Sequence, residues 1–107
     1  MNSKTSSTKR ANFPRAADYT KEFQKDWICL NKSGRYNMNE LKKAMLLLIA
    51  NDAPLPVEYI DHPLQGDYSG FRECHIGGDF LLIYAVDKSQ NQIIFTRAGT
   101  HSELFKR

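Results

Sequence analysis

Apolar side chains recur at helical spacing in two segments of the first half of the chain. The first segment lies between Thr20, a residue type that favours helix N-caps, and Gly34, which suits a position just beyond a helix end. The second begins after Asn37, with Glu40 three residues later as in a capping box, and its apolar residues repeat at i, i+3, i+4 and i+7. The pattern predicts two N-terminal helices, the second ending by Asn51 because two prolines follow shortly.

The second half of the chain has the patterns of β-strands. One segment alternates apolar and polar residues, the next is a continuous apolar run typical of a central strand, and a third follows after a turn. Gly77-Gly78 predicts a tight turn between the first two. With the helices, this predicts an α+β fold in which two N-terminal helices pack on a small antiparallel sheet. The predicted strands are residues 71–76, 80–86 and 92–98, with a short strand at residues 15–19 and a structured loop at residues 57–70.

Length and composition predict one compact domain. The chain has 107 residues, of which 41% are hydrophobic. We expect residues 1–11 to form a flexible tail and residues 12–107 to form the domain. No apolar run approaches the roughly 20 residues that a membrane span needs, and the first residues do not resemble a secretory signal. Cys29 and Cys74 are expected to be free thiols, so we expect a cytoplasmic protein.

Charge is unevenly distributed along the chain. Residues 1–50 contain ten Lys or Arg and four Asp or Glu, whereas residues 51–107 contain five and eight. The basic half suits docking on a polyanion, although lysines that merely solvate two amphipathic helices would give the same counts. The candidate docking residues are Lys21, Lys25, Lys42 and Lys43.

The three histidines, His62, His75 and His101, all lie in the second half of the chain. Histidine exchanges protons near neutral pH, so the group suggests proton transfer or metal binding. Asp79 completes a set suited to acid–base chemistry, but a strict Gly77-Gly78 turn would place His75 and Asp79 on opposite faces of the hairpin. We do not expect zinc, because no short ligand pairing would pre-organise a metal site.

Two arginines and two aromatic residues are further candidates for contacts with a nucleic acid. Arg72 and Arg97 fall on predicted strands, where a guanidinium can bind a phosphate through two donors or form a salt bridge with an acidic residue such as Glu73 or Asp79. Phe80 is typical of a core residue. Phe105 lies beyond the last strand and is the better candidate to stack on a base.

Four sequence blocks in the second half occur in a fixed order and spacing. They are HPLQG at residues 62–66, FRECH at 71–75, DFLLIY at 79–84 and GTHSELF at 99–105. Together they closely resemble the YafQ branch of the RelE/ParE toxin superfamily, over about residues 18–105. The resemblance implies a ribosome-dependent mRNA endonuclease, the toxin of a bacterial type II toxin–antitoxin pair, with a small microbial-ribonuclease-like α+β fold.

The residues that match functional positions of this family are His62, His75, Asp79, His101 and Phe105. Family members cleave mRNA in the ribosomal A site by helping a 2′-hydroxyl attack the adjacent phosphate, which leaves a cyclic phosphate. This chemistry needs a base, an acid and nearby cations, but no metal or other cofactor. The resemblance implies His75 or Asp79 as the base, His101 as the acid and His62 as a residue that positions the substrate.

The resemblance also gives roles to the remaining candidates. Arg72 or Arg97 would clamp the phosphate. Phe80 stands where a close relative carries Trp, so any stacking there is reduced and the codon preference stays open.

Finally, the resemblance implies partners. These are a DinJ/RelB-like antitoxin, through which the complex would bind operator DNA, and the 70S ribosome with its mRNA, which the four lysines would help to bind.

Two alternative functions differ from a ribosome-dependent endonuclease. A gyrase-directed, ParE-like toxin acting by protein binding is disfavoured because all three histidines are present. A ribosome-independent ribonuclease is disfavoured because the body of the domain is nearly neutral.

Overall fold

The computed structural model describes residues 12–105, so the predicted tail at residues 1–11 lies outside the described range. Within this range the chain forms one five-stranded sheet, two long helices and a short C-terminal helix. The predicted α+β class is confirmed. The strands are β1 (Ala16–Tyr19), β2 (His62–Pro63), β3 (Arg72–Gly77), β4 (Phe80–Asp87) and β5 (Gln92–Thr100), and the helices are α1 (Lys21–Ser33), α2 (Met38–Ala50) and α3 (His101–Leu104).

The sheet has the strand order β1-β5-β4-β3-β2. Strands β2 to β5 are antiparallel neighbours, as the predicted meander requires. β1 instead runs parallel to β5, with Ala16 beside Gln92 and Tyr19 beside Phe95, so the sheet is mixed rather than purely antiparallel. The pairing joins the first strand to the last, and a contact so distant in sequence leaves no local signal in the pattern of residues.

Helices α1 and α2 cover one face of the sheet, which we call the helix side, and form the larger core. Phe23 and Leu30 of α1 and Leu41, Ala44 and Leu48 of α2 are buried there. Their spacing of three, four and seven residues is the apolar stripe that the sequence predicts. The buried sheet residues of this core are Cys74, Phe80, Leu82, Tyr84, Ile93, Phe95 and Ala98.

Both long helices begin and end where the capping residues predict. The side chain of Thr20 accepts a hydrogen bond from the backbone N–H of Phe23, and Gly34 follows α1 with a φ of 69°. Asn37 caps α2 through its side chain, and Asn51 ends it in the left-handed conformation. Among residues 12–105, no helix is long and apolar enough to span a membrane.

The hairpin between β3 and β4 differs from the prediction. The turn residues are Gly78 and Asp79, not Gly77-Gly78, because Gly77 pairs with Phe80. A bulge between His75 and Gly77 adds one residue to β3, which lets Ile76 pack against the core on the helix side. His75 therefore pairs with Leu81 rather than with Phe80.

The sheet face away from α1 and α2 carries a smaller apolar cluster. Leu81, Ile83 and Leu104 are buried in it, and four partly buried residues surround them: Leu64, Tyr68, Phe71 and Phe105. Two of these, Leu64 and Tyr68, come from the segment predicted as a structured loop, which contains β2 and two short 3₁₀ turns, Val57–Tyr59 and Gly66–Tyr68. The long helices do not cover this face, so side chains on it can meet a large substrate.

Candidate active site

Strand register places His62, Glu73 and His75 on one face of the sheet. His62 of β2 pairs with Glu73 of β3, and alternation along β3 carries His75, two residues later, to the same face as Glu73. Because His75 pairs with Leu81, this face is the one away from the long helices. We call it the histidine face, defined by Glu73, His75, Leu81 and Ile83.

Glu73 lies between the two imidazoles. Its Oε2 atom is 3.1 Å from His62 Nε2 and 3.4 Å from His75 Nε2. Its side chain is only 6% exposed, whereas those of His62 and His75 are 43% and 32% exposed. Among the described residues Glu73 is the one buried charged group. Since a buried carboxylate requires partners, Glu73 and the histidines hold one another in place.

The contacts of His62 bear on which of its nitrogens carry protons. His62 Nε2 faces the Glu73 carboxylate at 3.1 Å, and Nδ1 lies 3.1 Å from the carbonyl oxygen of Pro63. Both neighbours accept hydrogen bonds when Glu73 is ionised. The two bonds therefore form together only when the ring carries a proton on each nitrogen.

A second group lies at the end of the sheet, where β5 runs into α3. His101 is the first residue of α3, and its backbone N–H donates to Asp79 Oδ1 at 3.3 Å. The His101 and Phe105 rings pack against each other with centroids 4.7 Å apart and a tilt of 39°, and Tyr68 packs edge-on against Phe105 at 5.2 Å. Asp79 of the hairpin turn and the Phe105 ring thus both contact the residue predicted to be the acid.

The N-terminal cap of α3 fixes where His101 emerges. Thr100 and Glu103 form a capping box, in which Glu103 Oε1 accepts from the Thr100 backbone N–H at 2.9 Å. That hydrogen bond lowers the pKa of Glu103. The sequence motif GTHSELF therefore encodes the helix start as well as the histidine.

The two groups stand on either side of Leu81. His75 of β3 and Gly99 of β5 both pair with this buried residue, from opposite sides. Two strand spacings separate His75 from Gly99, which puts their Cα atoms roughly 10 Å apart. His101 follows Gly99 by two residues, so the two histidines flank an apolar floor made by Leu81.

Arg72 is not brought to the histidine face. It pairs with Tyr84 on the helix side, where Arg72 Nη2 lies 3.2 Å from Asp61 Oδ2. The Tyr84 hydroxyl donates to the same carboxylate at 2.6 Å, and burial raises the pKa of Tyr84. The suggested partners, Glu73 and Asp79, were wrong for Arg72; Glu73 cannot pair with it because adjacent residues of a strand point to opposite faces.

Arg97 also forms an ion pair. Its guanidinium donates to Asp26 of α1 at 2.7 and 3.1 Å, and this contact raises the pKa of Arg97. Asp26 also accepts from the backbone N–H of Ala98 at 3.0 Å, at the part of β5 that lies beyond its pairing with β1. Arg97 is therefore held at the sheet edge by a carboxylate.

The two phenylalanines have different surroundings. Phe80 is 5% exposed and packs on Tyr36 in the core on the helix side, so it is not available to stack on a base. Phe105 is partly exposed beside His101.

The candidate docking residues Lys21, Lys25, Lys42 and Lys43 are all exposed on the two long helices, on the other side of the sheet from the histidine face.

His62, Glu73 and His75 are also described residues that could hold a metal ion. One ligand atom from each lies within 4.8 Å of the others. Two imidazole nitrogens and a carboxylate oxygen suit zinc and related transition metals. The expectation of a metal-free site thus stays a prediction, to be tested by metal analysis.

The sequence indicates Glu73 only as an ion-pair partner of a strand arginine, Arg72 or Arg97. The available signal was the spacing of Glu73 and His75, which are two residues apart in a predicted strand and so share a face. Tyr68 was likewise not singled out, because it lies in a loop whose path periodicity cannot predict.

Comparisons with known proteins agree with this geometry. Residues 15–106 match the model of a family described as the YafQ bacterial toxin of a type II toxin–antitoxin system. The chain is 42% identical over 91 residues to the mRNA interferase toxin YafQ of Escherichia coli, covering 85% of this chain and 96% of that protein.

Solved structures are similar as well. The E. coli DinJ–YafQ toxin–antitoxin complex matches with a TM-score of 0.76 and 41% identity, over 87% of this chain and 99% of that chain. A metal-bound toxin from Helicobacter pylori matches with a TM-score of 0.76 and 40% identity, over 85% and 99%. The resemblance carried by the four sequence blocks is confirmed: the chain belongs to the YafQ family of toxins from bacterial type II toxin–antitoxin systems.

Proposed function

We propose that this protein is an mRNA interferase that cleaves mRNA in the ribosomal A site as the toxin of a toxin–antitoxin pair. The observation that carries the proposal is the arrangement of two histidines about Leu81, with Glu73 behind one of them and Asp79 beside the other. The name of the E. coli relative, an mRNA interferase toxin, supports the same activity.

In the proposed reaction the scissile phosphodiester lies above Leu81. His75 takes the proton from the 2′-hydroxyl, and the 2′-oxygen attacks the phosphorus. The bond from phosphorus to the 5′-oxygen then breaks, and His101 gives its proton to that oxygen. The products are a cyclic phosphate and a 5′-hydroxyl, and the reaction is completed by proton transfers alone.

Glu73 and Asp79 act through the histidines in this proposal. Glu73 accepts a hydrogen bond from the His62 ring and pairs with His75 Nε2 at 3.4 Å, so in this proposal it orients both imidazoles, as the carboxylate of a catalytic triad orients its histidine. Asp79 binds the backbone of His101, so we assign it to positioning α3 rather than to the role of base. Phe105 keeps the His101 ring in place and offers an aromatic face to a base of the mRNA.

The exposed lysines of α1 and α2 supply affinity for the ribosome in this proposal. Neutralising Lys21, Lys25, Lys42 and Lys43 together should weaken binding and flatten its salt dependence, since fewer counterions are released. Sedimentation with ribosomes across a salt series measures this. Lys88→Gln, a neutral replacement in the turn between β4 and β5, is the matched control. Unchanged binding of the fourfold variant would mean that these lysines only solvate the helices.

The cognate partner proposed for the protein is a DinJ-like antitoxin, through which the complex would bind operator DNA; DinJ is the partner named for the E. coli relative. Expression of the toxin alone should arrest growth with cleaved mRNA, and co-expression of the antitoxin gene expected beside it should restore growth. Growth arrest with intact mRNA and broken DNA would instead favour a gyrase-directed toxin.

A further inference from the structure

Helix α3 is too short to hold its own position. It has four residues, with His101 at its start and Phe105 directly after its end. A single helical turn forms few hydrogen bonds for the residues that it fixes, so it depends on contacts from outside the helix. The capping box of Thr100 fixes the start, and Leu104 packs into the apolar cluster of the histidine face. Neither contact determines where the Phe105 ring lies.

Tyr68 supplies the contact that holds the Phe105 ring. The two rings pack edge-on, with centroids 5.2 Å apart and an interplanar angle of 76°. The Tyr68 hydroxyl also donates to the carbonyl oxygen of Leu104 at 3.4 Å, at the end of α3, where carbonyl groups have no partner within the helix. This hydrogen bond is long, so the contact between the rings is the stronger of the two.

The segment that carries Tyr68 is closed by its own backbone. The N–H of Leu64 donates to the carbonyl oxygen of Phe71 at 2.9 Å, which joins the two ends of the loop. Gly66, the last residue of the block HPLQG, has a φ of 66°, a conformation that glycine adopts at no steric cost, and it begins the 3₁₀ turn that ends at Tyr68. The block therefore encodes the position of Tyr68 as well as His62.

Contacts between rings run from this loop to His101. Phe71 packs edge-on against Tyr68 with centroids 6.1 Å apart, Tyr68 packs against Phe105, and Phe105 packs against His101 at 4.7 Å. Such pairs have preferred geometries, so a ring with fixed neighbours has few orientations open to it. The His101 side chain is exposed, and Phe105 is the ring that limits its rotation.

We propose that Tyr68 is a positioning residue for mRNA cleavage, which fixes the Phe105 ring and through it the His101 imidazole beside Leu81. The inference rests on the proposed function, because it assigns Tyr68 a part in the reaction of the same site. Tyr68 exchanges no proton in this reaction. A displacement of about 1 Å can slow an enzymatic step by roughly 100-fold, so a loosened His101 ring should transfer its proton more slowly.

Single-turnover cleavage on programmed ribosomes, at saturating toxin, tests the role of the Tyr68 ring. Tyr68→Leu removes the edge-on contact and should slow cleavage by about tenfold, the factor in rate that the loss of one aromatic pair contact gives. Tyr68→Phe keeps the ring and should retain most of the rate. Equal slowing in Tyr68→Phe and Tyr68→Leu would overturn the assignment to the ring.

Tyr36→Leu is the matched control for this experiment. Tyr36 packs on Phe80 with ring centroids 5.0 Å apart in the core on the helix side, so the same change removes a similar contact far from the histidines. We expect Tyr36→Leu to cleave at the wild-type rate. Cleavage by Tyr68→Leu as fast as by Tyr36→Leu would overturn the inference.

A double-mutant cycle tests whether Tyr68 acts through Phe105. If it does, Tyr68→Leu combined with Phe105→Leu should cleave no more slowly than Phe105→Leu alone, because the second change removes a contact that is already lost. Losses that multiply in the double variant would overturn the route through Phe105.

The position of the His101 ring can also be measured without ribosomes. The ring current of Phe105 shifts the NMR signals of the His101 imidazole protons while the two rings stay packed. Tyr68→Leu should move these signals toward those of histidine in an unstructured peptide, whereas Tyr36→Leu should not. Unmoved signals in Tyr68→Leu would overturn the inference. Thermal unfolding verifies that each variant stays folded, and Tyr68→Met, a second replacement without a ring, takes the place of a Tyr68→Leu variant that unfolds.

The outcomes separate this inference from the proposed function. Wild type that cleaves mRNA on ribosomes, with an unchanged rate and unmoved His101 signals in Tyr68→Leu, would overturn the role of Tyr68 alone. Wild type that neither arrests growth nor cleaves mRNA would refute the proposed function, and the role of Tyr68 with it.

Discussion

Replacing Glu73 by Gln tests whether the buried carboxylate supports catalysis. The change removes the charge that faces His62 and His75 but keeps the volume of the side chain, which is 6% exposed. A hydrogen bond to a charged group stabilises a protein by about 1.5–3 kcal/mol, roughly twice as much as a hydrogen bond between neutral groups. Glu73→Gln should therefore lose about 1 kcal/mol at His62, whose Nε2 hydrogen-bonds to the carboxylate, and less at His75, whose Nε2 lies in ion-pair contact with it.

If both contacts orient the rings in the transition state, the combined loss is about 1–2 kcal/mol, which corresponds to a roughly 5- to 30-fold slower cleavage step. The His75 contact is the longer of the two, at 3.4 Å against 3.1 Å, so its share should be the smaller one.

Single-turnover cleavage of mRNA on programmed ribosomes, at saturating toxin, measures the step itself. Asp67→Asn is the matched control, because it makes the same carboxylate-to-amide change at an exposed residue of the Gly66–Tyr68 turn. Thermal unfolding verifies that Glu73→Gln stays folded. Cleavage by Glu73→Gln at the wild-type rate would refute the argument that this carboxylate orients the catalytic histidines.

The other expectations concern the cap, the helix side and metal. Thr100→Ala should lower the free energy of unfolding by about 1 kcal/mol, whereas Thr100→Ser, which keeps the capping hydroxyl, should lower it much less. Thermal denaturation measures both. The pKa of Glu103 is lowered in the folded protein, so the stabilisation by this carboxylate is fully present above its ordinary pKa of 4.5 and is lost as the pH falls through the lowered pKa. The unfolding free energies of Glu103→Gln and wild type, measured from pH 7 to pH 2, should therefore converge in acid. Arg72→Met should lower the free energy of unfolding by about 1–3 kcal/mol, since Asp61 loses its ion pair, and should leave mRNA cleavage unchanged. A large loss of cleavage would instead indicate that Arg72 clamps the phosphate. Toxin stripped of metal should cleave normally on ribosomes, and stoichiometric zinc that leaves together with activity would contradict the acid–base proposal.

Local features of this fold were predictable from the sequence. Thr20, Gly34, Asn37 and Asn51 act within one turn of a helix end, so their residue types alone locate both long helices. The central strand was equally clear, since a continuous apolar run of that length has few other uses.

Non-local features were not predictable in the same way. The parallel pairing of β1 with β5 joins residues more than 70 positions apart. The bulge at Ile76 depends on packing against the core on the helix side, and it moved both the hairpin turn and the partner of His75.

The candidate site shows the same difference between local and non-local features. Motif matching indicated which residues to consider, including His62, His75 and His101, but not how they are grouped. The central place of Glu73 follows from strand register, and the separation of Arg72 from the histidines follows from alternation along β3. Arg97 could not be assigned, because its partner Asp26 comes from a helix at the opposite end of the chain.

The central claim is that His101 acts chemically on ribosome-bound mRNA. The direct test maps mRNA cleavage by primer extension on programmed ribosomes, with wild type and His101→Ala at matched occupancy, and repeats both without ribosomes. We expect wild type to cut within the A-site codon only when ribosomes are present, and His101→Ala to bind ribosomes as tightly but to leave the mRNA intact. Cleavage by His101→Ala at the wild-type rate, or equal cleavage of free mRNA by wild type, would contradict the account.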